Sequence, residues 1–331
     1  MNGSFRHAAC YNPRRRRDSS FRRSRGGGAV RQRTIAEKIS CTGIGLHSGA
    51  PVEFTLHPGR IDSGIVFSAE RAGQRVEVAA RPESVVATRH ATSLGGLGLT
   101  VGTVEHLLAA LYGIGIDNVR IELGGSEIPI MDGSAASFVF LIRAAGIYEQ
   151  PAPRRCLKVR RPIEVTDGAR RIRVEPARSF RVSYAIDFSH PAIGRQAIEN
   201  LELGEGVFER KLCRARTFGF LHEVHALWRA GLARGGSLDN TIVLDERRVL
   251  NPEGLRMPDE FVRHKVLDLL GDLALLGMPI QGHVKAERGG HALHQQLISE
   301  LLSDPTCYEI VTGPRRPAFY AEAPARLVSN A

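Results

Sequence analysis

The stretch from Glu260 to Leu276 reads Glu-Phe-Val-Arg-His-Lys-Val-Leu-Asp-Leu-Leu-Gly-Asp-Leu-Ala-Leu-Leu. On a helix, turning about 100° per residue, Asp268 falls about 40° from His264, Asp272 about 80° and Lys265 about 100°. Val262, Val266, Leu269, Leu270, Leu273 and Leu276 share the other side. The predicted helix therefore pairs an apolar face with a stripe of imidazole, two carboxylates and an ammonium. A His and an Asp one turn apart can hold one metal ion, because i and i+4 side chains lie on one face. A solvated His–Asp pair accounts for the same stripe, so a metal site needs a further ligand and a base from elsewhere in the chain.

Two other stretches offer them. Glu105-His106 opens a predicted helix over Val104 to Tyr112, with Thr103 placed to cap it. Adjacent helical residues diverge by about 100°, so His106 could bind a metal while Glu105 addresses a water beside it. An acidic first turn facing the helix dipole is the plainer account of the same dipeptide. His291 follows Gly289-Gly290 and opens the last predicted helix, His291 to Leu302, either as a capping residue or as a cationic partner to an anion. Together these groups form the parts list of a hydrolytic zinc centre: two His and an Asp as ligands, an open position for water, a Glu as base and a His as acid.

Composition bounds the remaining choices. With 331 residues, 43% hydrophobic and 24% charged, the chain can bury two cores of ordinary size. The net charge of +10 lies almost wholly in residues 1–33, which hold ten Arg and one Asp. The remainder holds 35 Lys+Arg against 34 Asp+Glu, so no basic face calls for nucleic acid. The five cysteines are dispersed and form no CxxC, which suits free thiols in a reducing compartment rather than a disulfide framework. No apolar run reaches membrane-spanning length and no secretory h-region is present, so stable membrane insertion is not expected and a cytoplasmic location is.

Along the chain, residues 1–30 read as a disordered basic extension: a flexible arm, an organellar transit peptide, or sequence upstream of a true start near Val30. The arm and the upstream start are preferred, because ordered sequence begins abruptly at Gln32. Strand-like runs then alternate with glycine turns, a helix follows at 104–112, and Asp117-Asn118 leads into a strand over Val119 to Leu123. Ser134 is placed to cap a helix over Ala135 to Ala145. Pro151 to Arg155 reads as a linker, and a second strand-rich run begins at Leu157. Each half carries a helix opening near a His, then a strand, then a glycine pair. The expected fold is α+β, with two similar domains at 31–150 and 156–305, each a small sheet packed with helices, the active site at the domain interface, and a tail over 306–331.

Many motifs, in order, resemble one family. They are Thr42-Gly-Ile-Gly-Leu-His-Ser-Gly49, Thr103-Val-Glu-His-Leu107, Ile116-Asp-Asn118, Glu127-Ile-Pro-Ile-Met-Asp-Gly-Ser-Ala135 and Asp187-Phe-Ser-His-Pro-Ala-Ile193. They continue with Arg214-Ala-Arg-Thr-Phe-Gly-Phe220, Asp239-Asn240 with Arg248-Val-Leu-Asn251, Phe261-Val-Arg-His-Lys265 through Asp268 to Gly271-Asp272, and Gly290-His-Ala-Leu293. Over residues 31–305 the chain resembles the UDP-3-O-acyl-N-acetylglucosamine deacetylases, zinc amidases of lipid A biosynthesis. That resemblance implies Zn2+ held by His106, His264 and Asp268, with Glu105 as general base. It implies His291 as the cation that faces the oxyanion and protonates the leaving amine, Asp272 as the carboxylate that keeps it charged, and Thr217 as a further oxyanion donor. Lys265 and Arg288 would face the diphosphate or sugar, with Arg288 standing where some relatives have Lys. Phe188 would pack on uracil, Phe220 would line the sugar site, and the segment from Phe218 to Leu232 would form an acyl channel. The stretch 88–94 matches least, and no role is carried onto it.

The expected activity is hydrolysis of the N-acetyl amide of a UDP-linked, 3-O-acylated glucosamine by a monomer. His₂Asp ligation would also accept iron(II) or cobalt. Without the resemblance, the runner-up from the residues is another zinc hydrolase, such as a peptidase or a deacetylase of different substrate, and a reading of a different class is an RNA- or membrane-binding protein acting through residues 1–33.

Overall fold

The computed structural model describes residues 30–312. Nearly all of the expected basic extension, and the tail beyond 312, lie outside the described residues. Two five-stranded sheets dominate. The first holds β1 (Ile39–Ile44), β2 (Pro51–Pro58), β3 (Ile65–Arg71), β4 (Gln74–Ala79) and β5 (Val119–Leu123), in the order β1-β2-β5-β3-β4. The second holds β6 (Ile163–Asp167), β7 (Arg170–Glu175), β8 (Arg181–Phe188), β9 (Gly194–Glu202) and β10 (His283–Glu287), in the order β6-β7-β10-β8-β9. The two orders are the same design. In both, the last strand enters the middle, parallel to the third strand and antiparallel to the second. The weak echo in the sequence is thus a repeated sheet topology. Alternation explains the faces: in β8, Val182, Tyr184 and Ile186 are buried while their neighbours are not.

Among the described residues six α-helices accompany the sheets: α1 (Glu105–Ile114), α2 (Ala136–Ala145), α3 (Val207–Lys211), α4 (Leu221–Arg229), α5 (Glu260–Leu273) and α6 (His291–Ser303). The α+β class and the small sheets packed with helices are as expected, and α5 and α6 begin where the sequence places them. Thr103 does not cap α1: it lies at φ 55° with its hydroxyl buried and unpartnered, and Val104 precedes the helix. Ser134, two residues before the first residue of α2, accepts from the Ala136 amide, beside Asp132.

Two boundaries differ from the sequence reading. The expected linker is strand on both sides of Arg154. Ile147–Pro153 pairs antiparallel with Arg31–Ile35, and Arg155–Val159 pairs parallel with Ile280–Gln281. The expected tail contains a strand, Tyr308–Thr312, antiparallel to Arg155–Val159. Proline-rich composition misled the first expectation, since edge strands tolerate proline. The second failed because a short strand at the end of a motif-rich region has no periodicity to display.

The apolar side of α5 meets β8 and β9 of the second sheet, and the helix packs also on α6 and, beyond the sequence reading, on α1 of the first half. Twelve of its fourteen residues are buried, including the polar stripe. Leucines on both helices close this contact: Leu107, Leu108 and Leu111 on α1, with Leu269, Leu270 and Leu273 on α5, none more than 1% exposed. Each such side chain contributes about 1.5–3 kcal/mol of burial. The approach is closest at Gly271, where an added Cβ would stand 2.1 Å from the Glu105 carbonyl oxygen. Only glycine lets the backbone of α5 reach the first turn of α1. Among the described residues no helix is long and apolar enough to cross a membrane.

Candidate active site

That contact sets Glu105 and His106, at the start of α1, against His264, Asp268 and Asp272, on successive turns of α5. All five are buried, Asp272 to 0% exposure. A solvated face is therefore excluded. Charges this deep must be paired or neutralised, and the arrangement around them does so.

The first cluster is His106, His264 and Asp268, whose ligand atoms lie within 4.8 Å of one another. His264 Nε2 is 3.3 Å and His106 Nε2 3.7 Å from the same Asp268 oxygen. The two imidazoles meet edge to face at 5.0 Å between centroids. The His264 tautomer is fixed from outside the cluster: Nδ1 lies 3.1 Å from the Ala215 carbonyl, which can only accept. The Nε2 lone pair is thereby left facing Asp268, the arrangement a metal-ligating histidine requires. Burial pushes both imidazoles down, His106 to about 3, so both stay neutral. Burial opposes ionisation of Asp268, yet its carboxyl is held well below the usual range, with the Lys265 ammonium at 2.6 Å as its charged partner. Two neutral imidazoles and a carboxylate converge, and this donor set fits a divalent cation such as zinc.

The Ala215 carbonyl is itself held rigidly. Arg216, 1% exposed, binds Glu260 at the start of α5 through Nε at 2.9 Å and through its own amide at 3.0 Å. The loop that presents Ala215 and Thr217 is thus tied to the helix that presents His264.

The second cluster surrounds Asp272. Its Oδ2 accepts from Nδ1 of His291 and Nδ1 of His294, each at 2.7 Å, and its Oδ1 accepts from the Thr92 hydroxyl at 2.6 Å. Burial alone would raise the Asp272 carboxyl; the His291 charge and the imidazole hydrogen bonds bring it to about 2. Burial alone would lower His291; Asp272 outweighs it and brings the imidazolium to about 9. Glu105 behaves oppositely: burial lifts its carboxyl to about 7, only partly offset by His291. A carboxylate poised near neutrality and an imidazole kept charged form an acid–base pair with opposite protonation states. Thr92 joins the two, since its amide donates to Glu105 at 3.1 Å while its hydroxyl donates to Asp272.

Other residues singled out from the sequence gather around this centre. Lys265 is paired with Asp268 at 2.6 Å, its ammonium 5.7 Å from the centroid of the Phe218 ring, so its first partner is a ligand carboxylate. Phe218 lies edge-on to His264 at 6.2 Å and to Phe188 at 5.6 Å, and Phe220 is 6.0 Å from Phe188. Thr217 is fixed by its backbone to Gly133 and Ile242, and among the described residues no hydrogen bond engages its hydroxyl. Arg288 sits farther out, 43% exposed and paired with Asp187 at 2.5 Å. The helix α4 has no buried residue, and Leu221 and Trp228 are 39% and 51% exposed, so core packing does not explain its apolar side.

Sequence reasoning missed Thr92, His294 and the Ala215 carbonyl. His294 stands three residues after His291 and could have been found as the next imidazole on that face. Thr92 and Ala215 lie in loops where nothing periodic marks them.

Comparison with known proteins identifies the family. The family model of the UDP-3-O-acyl N-acetylglycosamine deacetylases matches residues 32–303. A protein of Myxococcus xanthus named UDP-3-O-acyl-N-acetylglucosamine deacetylase is 53% identical over 285 residues, 86% of this chain and 90% of that one. One of Anaeromyxobacter dehalogenans with the same name is 51% identical over 297 residues, 89% of this chain and 96% of its own. One of Acidithiobacillus ferrooxidans, again so named, is 48% identical over 304 residues, 91% and 100% of the two chains. The match spans both sheets and the helices that carry His106, His264 and His291. With an amidase-like acid–base pair at their junction, the chain belongs to the UDP-3-O-acyl N-acetylglycosamine deacetylase family.

Proposed function

We propose that the protein hydrolyses the N-acetyl amide of a UDP-3-O-acyl-N-acetylglucosamine, releasing acetate and the free glucosamine amine, an early step of lipid A synthesis. The observation that carries this reading is the convergence of His106, His264 and Asp268, flanked by a carboxylate lifted to about 7 and an imidazole held charged to about 9. His106, His264 and Asp268 hold the metal, which we assign as zinc, and a bound divalent cation supplies Lewis acidity to the amide carbonyl and the attacking water.

The protein's own groups do the rest. Glu105, in its ionised form, takes a proton from the attacking water. The water oxygen bonds to the amide carbon, and negative charge grows on the carbonyl oxygen. The His291 imidazolium faces that charge, and the free hydroxyl of Thr217 is a second donor. The C–N bond then breaks, and His291 gives a proton to the leaving nitrogen. Asp272 keeps His291 in the charged form the cycle requires. Lys265 moves between Asp268 and the substrate's polar groups. Phe188 and Phe220 pack on the nucleoside and sugar, Arg288 faces the diphosphate, and Phe218 with α4 lines the acyl chain. We assign the reaction to the cytoplasm and to a monomer.

The test is acetate release from the UDP-sugar, with zinc stripped by a chelator and then restored, for wild type and Asp268→Ala. Restoration in wild type alone is expected. Chelator-resistant turnover, or an active Asp268→Ala protein, refutes the metal assignment.

A further inference from the structure

The acid's carboxylate partner carries a second imidazole that the reaction leaves without a role. His294 lies in α6 one turn after His291, and its exposure is 0%. Its Nδ1 reaches Asp272 Oδ2 at 2.7 Å, the same oxygen and distance as His291. Its Nε2 is 3.2 Å from the hydroxyl of Tyr184 on β8. Tyr184 is 1% exposed, and burial raises its phenol well above the usual value, so it remains a donor. A donor at Nε2 and an acceptor at Nδ1 leave one arrangement: neutral His294 carries its proton on Nδ1 and donates it to Asp272. The chain runs Tyr184 to His294 to Asp272, which also accepts from His291 and Thr92. Backbone shape serves it too, because a Cβ at Gly289 would stand 2.6 Å from the Tyr184 hydroxyl and 3.3 Å from His294 Nε2.

We infer that His294 is a positioning residue for the acid–base chemistry: a neutral second imidazole that clamps the Asp272 carboxylate and withdraws part of its charge from His291. The inference rests on the deacetylase reading for its kinetic consequence. Its structural consequence, the hold of Asp272 on His291, is measurable without turnover. Three bonds fix the plane of the carboxylate, so His291 Nε2 is aimed by α5, α6 and the Thr92 loop together. A hydrogen bond donated to a carboxylate also stabilises its charge and lowers its pull on a neighbouring proton. Losing His294 therefore leaves His291 bound more tightly to its proton. The other ionisable groups that interact with His291 are Glu105 and the neutral His106 from α1, and Asp268 and the neutral His264 from α5, none of them altered by this substitution.

Two near-isosteric variants separate the clamp from mere packing. The His294→Asn side-chain amide can donate from the Nδ1 position and keep the bond to Asp272. The His294→Gln amide reaches the Nε2 position, keeps Tyr184 and loses Asp272. In zinc-loaded enzyme, His294→Asn is expected within about threefold of wild-type kcat, and His294→Gln about 10–100-fold lower, the range typical of lost outer-sphere partners. KM and metal content should be unchanged in both. The alkaline limb of the kcat profile should move to higher pH in His294→Gln alone, and the 15N-imidazole titration of His291 should move with it. Equal losses in the two variants, or an unmoved His291 titration in His294→Gln, overturn the clamp. Wild-type protein without acetate release sinks the deacetylase reading and leaves the His291 titration to judge the clamp.

Discussion

Replacing Gly271 by alanine isolates the contact that builds the site. The new methyl would stand 2.1 Å from the Glu105 carbonyl oxygen, 2.8 Å from its carbon and 2.9 Å from its Cα. All three are backbone atoms of α1, so no rotamer relieves the clash. Reaching an ordinary contact of about 3.5 Å requires the two backbones to part by more than about 1 Å. An unobstructed glycine inside a helix predicts the opposite result, a gain of about 1 kcal/mol from helix propensity. Overpacking costs about 1–3 kcal/mol, and the backbone character of the clash puts this case at the upper end, leaving a net loss of about 1–2 kcal/mol. The same displacement draws Glu105 and His106 away from His264 and Asp268, and about 1 Å of misplacement costs about 100-fold in rate. Denaturant unfolding of the zinc-free protein gives the stability term, and kcat/KM with saturating zinc gives the catalytic one. A Gly271→Ala protein that is more stable than wild type and fully active would show that α1 and α5 do not need this approach.

Three further outcomes are expected. Glu105 must be ionised to accept a proton and His291 protonated to give one, so kcat should fall as pH drops through about 7 and again as pH rises through about 9. A bound cation favours the Glu105 carboxylate and moves the acid limb below 7; a Glu105→Gln protein that keeps an acid limb would contradict the assignment. Truncating Arg216 to methionine strands the fully buried Glu260 and should destabilise the fold by about 3–5 kcal/mol, read as a lower midpoint in urea, whereas a wild-type midpoint would mean that the pair carries no weight. Trp228→Ala, on a helix with nothing buried, should leave stability within about 0.5 kcal/mol and raise KM for long-chain substrates more than for short ones; equal KM changes would remove α4 from the acyl path.

The sequence by itself determined the local pieces. The spacing of His264, Asp268 and Asp272 put them on one stripe of α5 because helical rotation depends on backbone geometry alone. Glycine punctuation located the start of α6, a turn signal and alternation located the strand Val119–Leu123, and ordered motifs located the family. What periodicity could not tell was which way the stripe faced. The helix α5 is buried on both sides, and that depends on Gly271 meeting Glu105, a contact between residues 166 positions apart. The same limit hid Thr92, whose amide and hydroxyl join base and acid only because a loop returns beside α5 and α6. It hid the proton on His264 as well, set by a carbonyl 49 residues away. A residue's type limits what it can donate or accept, and that is written in the sequence. Its protonation state depends on desolvation and on neighbours brought from other elements, and only the assembled fold supplies those.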